Sequence, residues 1–485
     1  MDSIESQDEP SRKKREPSST EEEESYSAIE KLNDDCLIYI FNLLPVIDRI
    51  RIEKVNKRWQ EIGKDSWSKL KVLNLNEKCL GIKPKVGKGR QYLILIKQSV
   101  TEILKRCGRY LNKIIFKFEF LDFDCMSLVA EHCINIQSIT CDEFSLEGLK
   151  SLSVNCSKII EFSMEGHILI SNEIEMVLTK LFLNNQKLRC LRISYFKDMA
   201  ECLLSLPLNE VEEIKVMFDD YENNKTNLSK TIRKTKKLRS FECNYPNEEI
   251  IRALALNCTN LTELSLICCP YDGINEIDHE LSGVFKNNKK LKCLNLENVE
   301  NLTGECLLYL DKNNIEKIRF HGTKYLNGYH LIDSLPSFKR LHSLEFNSNY
   351  SSYGDHIAEC IGLCHKLKNL IIEYFEVYTE EDLMNSVLEM KNLETLKVTY
   401  MRGDIITNFF IDYIGFNLKE LKYLDISGNR GVIIDSDLES ICNLPKLEVL
   451  VIEDLEKITG YFLDNLPTLK KMMCCNCPRL KDYIH

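Results

Sequence analysis

Three groups of residues have types and spacings that could do chemistry. Residues 81–89 hold three glycines and several lysines, as a phosphate-cradling loop would. Five residues separate Gly81 from Gly87 where that motif wants four, and Gly89 follows Lys88 where a Ser or Thr would hold magnesium. Cys474, Cys475 and Cys477 suggest a metal, which needs about four ligands in tetrahedral reach. Two of the three have structural places in the repeat described below, which leaves Cys475. None of the nine histidines stands at a nucleophile–base spacing; His132, His279 and His365 fall in helix-like runs. The expectation is a chain with no catalytic residue, no cofactor and no metal.

The remaining chemistry is that of charge and surface. The net charge of −10 argues against binding a nucleic-acid backbone. No stretch approaches the roughly 20 apolar residues of a membrane span, and the polar N-terminus does not read as a secretory signal. The 21 cysteines are therefore expected as thiols in a reducing compartment. Residues 1–27 are rich in Glu, Ser, Pro, Lys and Arg and are expected to be a disordered tail. Within it, Arg12, Lys13, Lys14 and Arg15 match a nuclear import signal, and Ser18, Ser19 and Thr20 precede four glutamates in a context suited to an acid-directed kinase.

From Leu70 onward the chain repeats. The pattern apolar-x-x-apolar-x-apolar starts at Leu70 and Leu111, then recurs to Leu469 at a mean spacing of about 26 residues. LTELSL at Leu261, LKCLNL at Leu291, LETLKV at Leu393 and LKYLDI at Leu421 are its clearest forms, with helix-like runs between. That period lies in the leucine-rich-repeat range. It implies an α/β solenoid over 69–485, of about 15–16 units, with a curved parallel sheet inside and helices outside. Residues 76–110 interrupt it, with a basic Gly/Pro loop and a helix over 91–107; a second polar loop is expected at 219–225. Cysteines keep register. Cys133, Cys156, Cys258 and Cys364 each lie three residues before a strand pattern; Cys269, Cys477 and Asn429 lie eight after its start. Buried thiols packed between turns follow. Thr303 and Thr459, twelve residues after the start, complete a resemblance to the cysteine-containing repeat subtype.

In each unit the third, fifth and seventh positions point to the concave face. That face includes Lys317, Arg319, His321, Glu345, Asn347 and Glu373, then Lys397, Thr399, Tyr423 and Asp425. Both signs occur without a single-charge stripe, which suits a protein partner. Tyr350, Tyr353, Tyr374, Phe375, Tyr378 and Tyr400 gather at the loop side. Arg319, His321, Glu345, Glu373, Lys397, Tyr374, Phe375, Tyr400 and Tyr423 are the candidate substrate-facing residues.

Ahead of the array, residues 32–59 form a helix-rich stretch that opens on Asn33, Asp34 and Asp35, good N-cap chemistry. Leu37, Ile40, Phe41 and Leu44 make one helical stripe, yet Cys36, Ile38, Tyr39 and Leu43 make other sides apolar too. So short a segment cannot bury them all, and the surplus predicts a partner protein. The stretch resembles an F-box, whose pattern is close to LPxExxxxIFxxLxxxDLxxxxxVxxxW. Leu32, Asp35, Leu37, Ile40, Phe41, Leu44, Asp48, Arg51, Ile52, Val55, Arg58 and Trp59 stand at matching positions. Asn33 replaces the usual proline and changes the lead into the first helix. Asp35 replaces glutamate, and Arg49 replaces leucine, placing a charge where a partner packs against something apolar.

A three-helix F-box over 28–68 followed by leucine-rich repeats resembles the substrate receptors of SCF-type cullin–RING ubiquitin ligases. The resemblance implies docking on a SKP-family adaptor and, through it, a cullin, with the repeats holding a protein to be ubiquitinated for proteasomal degradation. It makes Leu32, Leu37, Ile40, Phe41, Leu44, Val55 and Trp59 the adaptor-binding residues, as contacts or as supports. It implies no nucleic-acid or membrane partner, and a place in the cytoplasm, the nucleus or both. The competing reading is a leucine-rich-repeat scaffold that binds a partner without ubiquitin transfer.

Overall fold

In the computed structural model the described residues are 29–76, 79–80, 90–116, 125–142, 144–166, 171–196, 201–218, 226–268, 276–299, 301–347, 354–374, 379–401, 406–429 and 433–480. The expected tail, its basic cluster and the loops at 81–89 and 219–225 lie outside them. The chain divides into two compact units, Met1–Lys69 and Leu70–His485.

The first unit is helical: α1 (Asp34–Leu43), α2 (Val46–Ile52) and α3 (Lys57–Ser68). Asn33 is the N-cap of α1, its side chain accepting from the Cys36 amide at 2.9 Å, and Asn56 caps α3 by accepting from the Trp59 amide at 2.8 Å. The departure from proline thus supplies a cap, which satisfies a donor that helix geometry leaves open. Pro45 precedes α2 and makes the break from α1 sharp.

Among the described residues the second unit holds one sheet of sixteen parallel strands whose order in space is their order in sequence. The first six are β1 (Val72–Leu75), β2 (Lys113–Phe116), β3 (Ser138–Cys141), β4 (Glu161–Met164), β5 (Cys190–Phe196) and β6 (Glu213–Phe218). Next come β7 (Ser240–Asn244), β8 (Glu263–Ile267), β9 (Cys293–Glu297), β10 (Lys317–His321) and β11 (Ser343–Asn347). The last are β12 (Asn369–Glu373), β13 (Thr395–Thr399), β14 (Tyr423–Asp425), β15 (Val449–Val451) and β16 (Lys471–Met473). Helices or 3-10 turns lie between strands, as in a leucine-rich-repeat solenoid; the helix Arg90–Cys107 fills the long step between β1 and β2.

The register places like on like. Ile318 pairs with Leu294 and Leu344, and Phe320 with Leu296 and Phe346, so the fourth and sixth positions stack into one continuous core. The rings of Phe320 and Phe346 lie 5.4 Å apart. One unit alone would leave these side chains bare, so each is stable only beside its neighbours.

Three further rows tie the turns. Three residues before the pattern, Cys133, Cys156, Cys258 and Cys364 are buried. Asn185 and Asn288 hold the same place: their Oδ1 atoms accept from the amides of Ile159 and Leu261, and their Nδ2 atoms donate to the Leu181 and Val284 carbonyls. Eight residues after the start, Asn429 donates to the Val398 and Ile426 carbonyls, and the Cys477 thiol donates to the Ile452 carbonyl at 2.8 Å. Cys269 lies outside the described residues. Cys474 departs from its expected core place. β16 ends at Met473, and Cys474 is only half-buried beside a strand that pairs on one side.

One residue earlier, the backbone turns left-handed. Tyr245, Cys268, Asn298, Tyr374, Tyr400, Asp454 and Asn476 have φ between 46° and 58°, with Gly322 and Gly428 at 62° and 74° in the same row. The turn aims an amide at the next unit: Tyr245 N–H donates to Ile267, Cys268 to Glu297, Asn298 to His321 and Tyr400 to Ser427. Left-handed φ in a side-chain-bearing residue is strained. The extra inter-unit hydrogen bond offsets it.

Burial pushes the Cys156 thiol up to about 11 and the Cys258 thiol to about 12, from an ordinary 9.0, and lifts Cys133 and Cys141 as well. A raised folded pKa means this contribution is complete below about pH 9 and is lost as pH rises through 11–12. Denaturant midpoints should therefore fall between about pH 8 and about pH 10.5. Cys156→Ala with Cys258→Ala should flatten that fall; an equally steep fall in the double variant refutes the assignment.

Candidate functional site

The helical unit is built around Leu37, Phe41 and Ile62, with Leu32, Ile38, Ile40, Leu44, Ile52 and Trp59 packed on them. Phe41 meets Trp59 edge-on at 5.2 Å. Arg58 draws the lead-in segment onto α3: its guanidinium donates to Asp34 Oδ1 and to the carbonyls of Glu30 and Leu32. Trp67 donates through Nε1 to Glu53, which fixes α2 on α3.

The structure overturns the expectation for Arg49. It is 5% exposed, and its guanidinium donates to the carbonyls of Leu44, Ser66 and Asn42, at 3.2, 3.4 and 2.6 Å, beneath the Trp67 ring. The charge is turned inward as a clasp between the end of α1 and the end of α3. Among the charged residues that face out stand several apolar ones. Tyr39 and Leu43, one turn apart on α1, are 68% and 70% exposed, Cys36 precedes them on the same stripe, and Val55 is 58% exposed.

On the sheet of the second unit, the third, fifth and seventh positions form an open, charged face. Arg319 Nε reaches Glu345 at 2.7 Å, Arg192 reaches Glu213 at 2.7 Å, and Lys215 reaches Glu242 at 3.3 Å. Glu373 pairs with Lys397, which lies 3.6 Å from Asp425, and His321 Nδ1 is 3.7 Å from Glu297. Asp425 departs from its expected outward place: it is 4% exposed, because Ser427 folds back and donates to it from both N–H and Oγ. Thr399 is likewise buried. Tyr423 stays half-exposed beside Lys397. At the exit turns Tyr374 and Tyr400 stack at 4.8 Å with 8° between planes, and the Tyr400 hydroxyl donates to Asp454 at 3.3 Å. Tyr350, Tyr353, Phe375 and Tyr378 lie outside the described residues.

Among the described residues no group of three or more His, Cys, Asp and Glu could hold a metal ion, and no helix is long and apolar enough to cross a membrane.

Residues 29–71 match the F-box domain. No curated protein matches the chain in sequence. Among solved structures, the chain is similar to an internalin (InlF) from Listeria monocytogenes strain 4b F2365. Identity there is 15% and the TM-score 0.42, over 79% of this chain and 89% of that one. It is also similar to a chain of the Rad7–Elc1 complex in yeast, at 14% identity and a TM-score of 0.47, over 90% of this chain and 92% of that one.

Within the F-box, the seven residues expected at a partner surface separate into three groups. Leu37 and Phe41 are 0% and 1% exposed, so their part is to hold the helices. Leu32, Ile40, Leu44 and Trp59 are half-buried against that pair, and Val55 alone is fully outward. Tyr39 and Leu43 are the outward residues that the pattern match passes over. Their signal was the excess apolar character of α1, which a single stripe cannot absorb.

Proposed function

We propose that the chain is the substrate-recognition subunit of an SCF-type ubiquitin ligase. The F-box docks on a SKP-family adaptor, which carries it to a cullin, and the open sheet face holds the protein to be ubiquitinated. The observation that carries this reading is the F-box surface. A closed core of Leu37, Phe41 and Ile62 supports an outward apolar stripe of Tyr39 and Leu43. An exposed stripe beside a complete core serves a partner better than the fold. Leu32, Ile40, Leu44, Val55 and Trp59 border or support that surface, and Leu37 and Phe41 brace it from inside. On this reading the chain contributes position, making transfer to the held protein effectively intramolecular, and works in the cytoplasm, the nucleus or both.

Co-expression of the full chain with the adaptor tests it. The unmutated chain should capture the adaptor. Tyr39→Asp with Leu43→Asp should weaken capture by at least about a hundredfold, since two buried hot-spot side chains are lost together. Thermal unfolding should be unchanged, because neither residue belongs to the core. Phe41→Ala is the poorer probe, as it opens that core. Failure of the unmutated chain to bind any adaptor sinks the proposal.

A further inference from the structure

On the open face of the second unit, the charged ladder has a gap. At the fifth strand position β6 and β7 carry Lys215 and Glu242, which pair with each other while Lys215 also reaches Glu213, and β10 and β11 carry the paired Arg319 and Glu345. Between them β8 and β9 carry Ser265 and Asn295. At the third positions small residues alternate with charged ones, Ser240, Cys293 and Ser343 with Glu263 and Lys317 between them. The result is a cavity of about 270 Å³ whose walls are two finished ion pairs and whose floor is short side chains.

Three polar groups of its lining are left over. Glu263 accepts only from the Ser240 hydroxyl, at 3.1 Å, and has no cation within ion-pair reach among the described residues. Lys317, two strands away, has no carboxylate within that reach among them. Asn295 spends its Nδ2 on Ser265 Oγ, at 2.9 Å, and its shielded Oδ1 has no donor among the described residues. The lining holds three cations (Lys215, Lys317, Arg319) and three carboxylates (Glu242, Glu263, Glu345). A lone anion would meet those carboxylates and a lone cation those cations. A guest carrying both signs meets neither penalty.

We propose that this cavity takes an arginine side chain of the target protein, from an extended segment with an acidic residue two positions further on. The proposal rests on the receptor reading above and names the sequence feature the receptor would recognise. Guanidinium is the cation whose forked donors can serve a carboxylate and a neighbouring amide oxygen together; here these are Glu263 and Asn295 Oδ1. The acidic residue pairs with Lys317. Residues i and i+2 of an extended segment share a face about 7 Å apart, and Glu263 and Lys317 stand on strands about 10 Å apart. Side-chain reach closes the difference.

The test uses the full chain co-purified with its adaptor and a fluorescein-labelled peptide, Gly-Ser-Arg-Ala-Glu-Ser-Gly, read by fluorescence anisotropy. Saturable binding is expected, weakened roughly tenfold or more by Glu263→Gln, by Lys317→Met, or by citrulline in place of the arginine, as for loss of a charged hydrogen bond. Lys317→Glu should lose this peptide and gain the one with lysine in place of glutamate, which separates recognition from misfolding. Absence of saturable binding, indifference to either single substitution, or failure of that exchange overturns the proposal. Adaptor retained without peptide binding defeats the pocket alone; peptide binding without adaptor defeats the receptor reading alone.

Discussion

Arg49→Met is expected to destabilise the F-box by about 2–4 kcal/mol, the worth of a few hydrogen bonds to a charged donor less the relief of no longer burying it. The guanidinium holds the carbonyls of Asn42, Leu44 and Ser66, so its loss releases the end of α1, the break before α2 and the end of α3 together. Arg49→Lys should fall between the two, because an ammonium cannot span three acceptors with a planar fork. The measurement is simple in the intact protein. Trp59 and Trp67 are the only two tryptophans in the chain, and both lie in the helical unit, so tryptophan emission during urea denaturation follows that unit selectively. An unchanged midpoint in Arg49→Met would show that the clasp is decorative. Adaptor capture should decline in step with the unfolded fraction and not beyond it, in contrast to the surface substitutions at Tyr39 and Leu43.

Asp278→Ala should produce the larger local loss, about 3–5 kcal/mol, the scale for removing one charged member of a buried polar cluster. Asp278 is 3% exposed and accepts from Thr303 N–H and Oγ1, Gly304 N–H and Cys306 N–H. It braces the start of the next unit's 3-10 turn from the helix Glu276–Asn287. Asp435 does the same for Thr459 and Gly460, and Glu380 for Thr407 and Phe410. Because repeats depend on nearest neighbours, the damage should appear as early hydrogen exchange in residues 303–310, with distant units such as β3 and β4 still protected. Uniform loss of protection along the sheet, or none at 303–310, would contradict the brace.

How much of this was legible in the sequence depends on whether a residue's role is set by period or by place. The apolar fourth and sixth positions are periodic, and Ile318, Phe320, Leu344 and Phe346 fall in the core as spacing predicts. The thiol row is periodic as well. Asn185 and Asn288 share its position, but a polar side chain there reads as surface until its backbone partners from two units are in view. Arg49 fails for a related reason: the carbonyls of Asn42 and Leu44 at the end of α1 and of Ser66 near the end of α3 converge on it, and nothing within its own helix announces burial. In α1 the sequence shows two apolar faces without ranking them. Packing on Ile62 and Trp59 ranks them, sending Leu37 and Phe41 inward and Tyr39 and Leu43 outward. On the sheet, Arg319, Glu345, Glu373 and Lys397 were expected on the open face, and their pairing there came from the strand register. The cavity at Ser265 and Asn295 went unread because it is made by what neighbouring units lack.

The left-handed row at the strand exits has a mechanical meaning. Its amides, like those of the strands, bond each unit to the next, and the spatial order follows the chain. Tension applied to the ends of the array therefore loads these bonds one seam at a time, as in a zipper, and never all together in shear. The terminal seam bears the load first and yields alone. An array so connected gives way stepwise from its ends under force, while its middle, where the β8–β9 gap lies, keeps its shape longest.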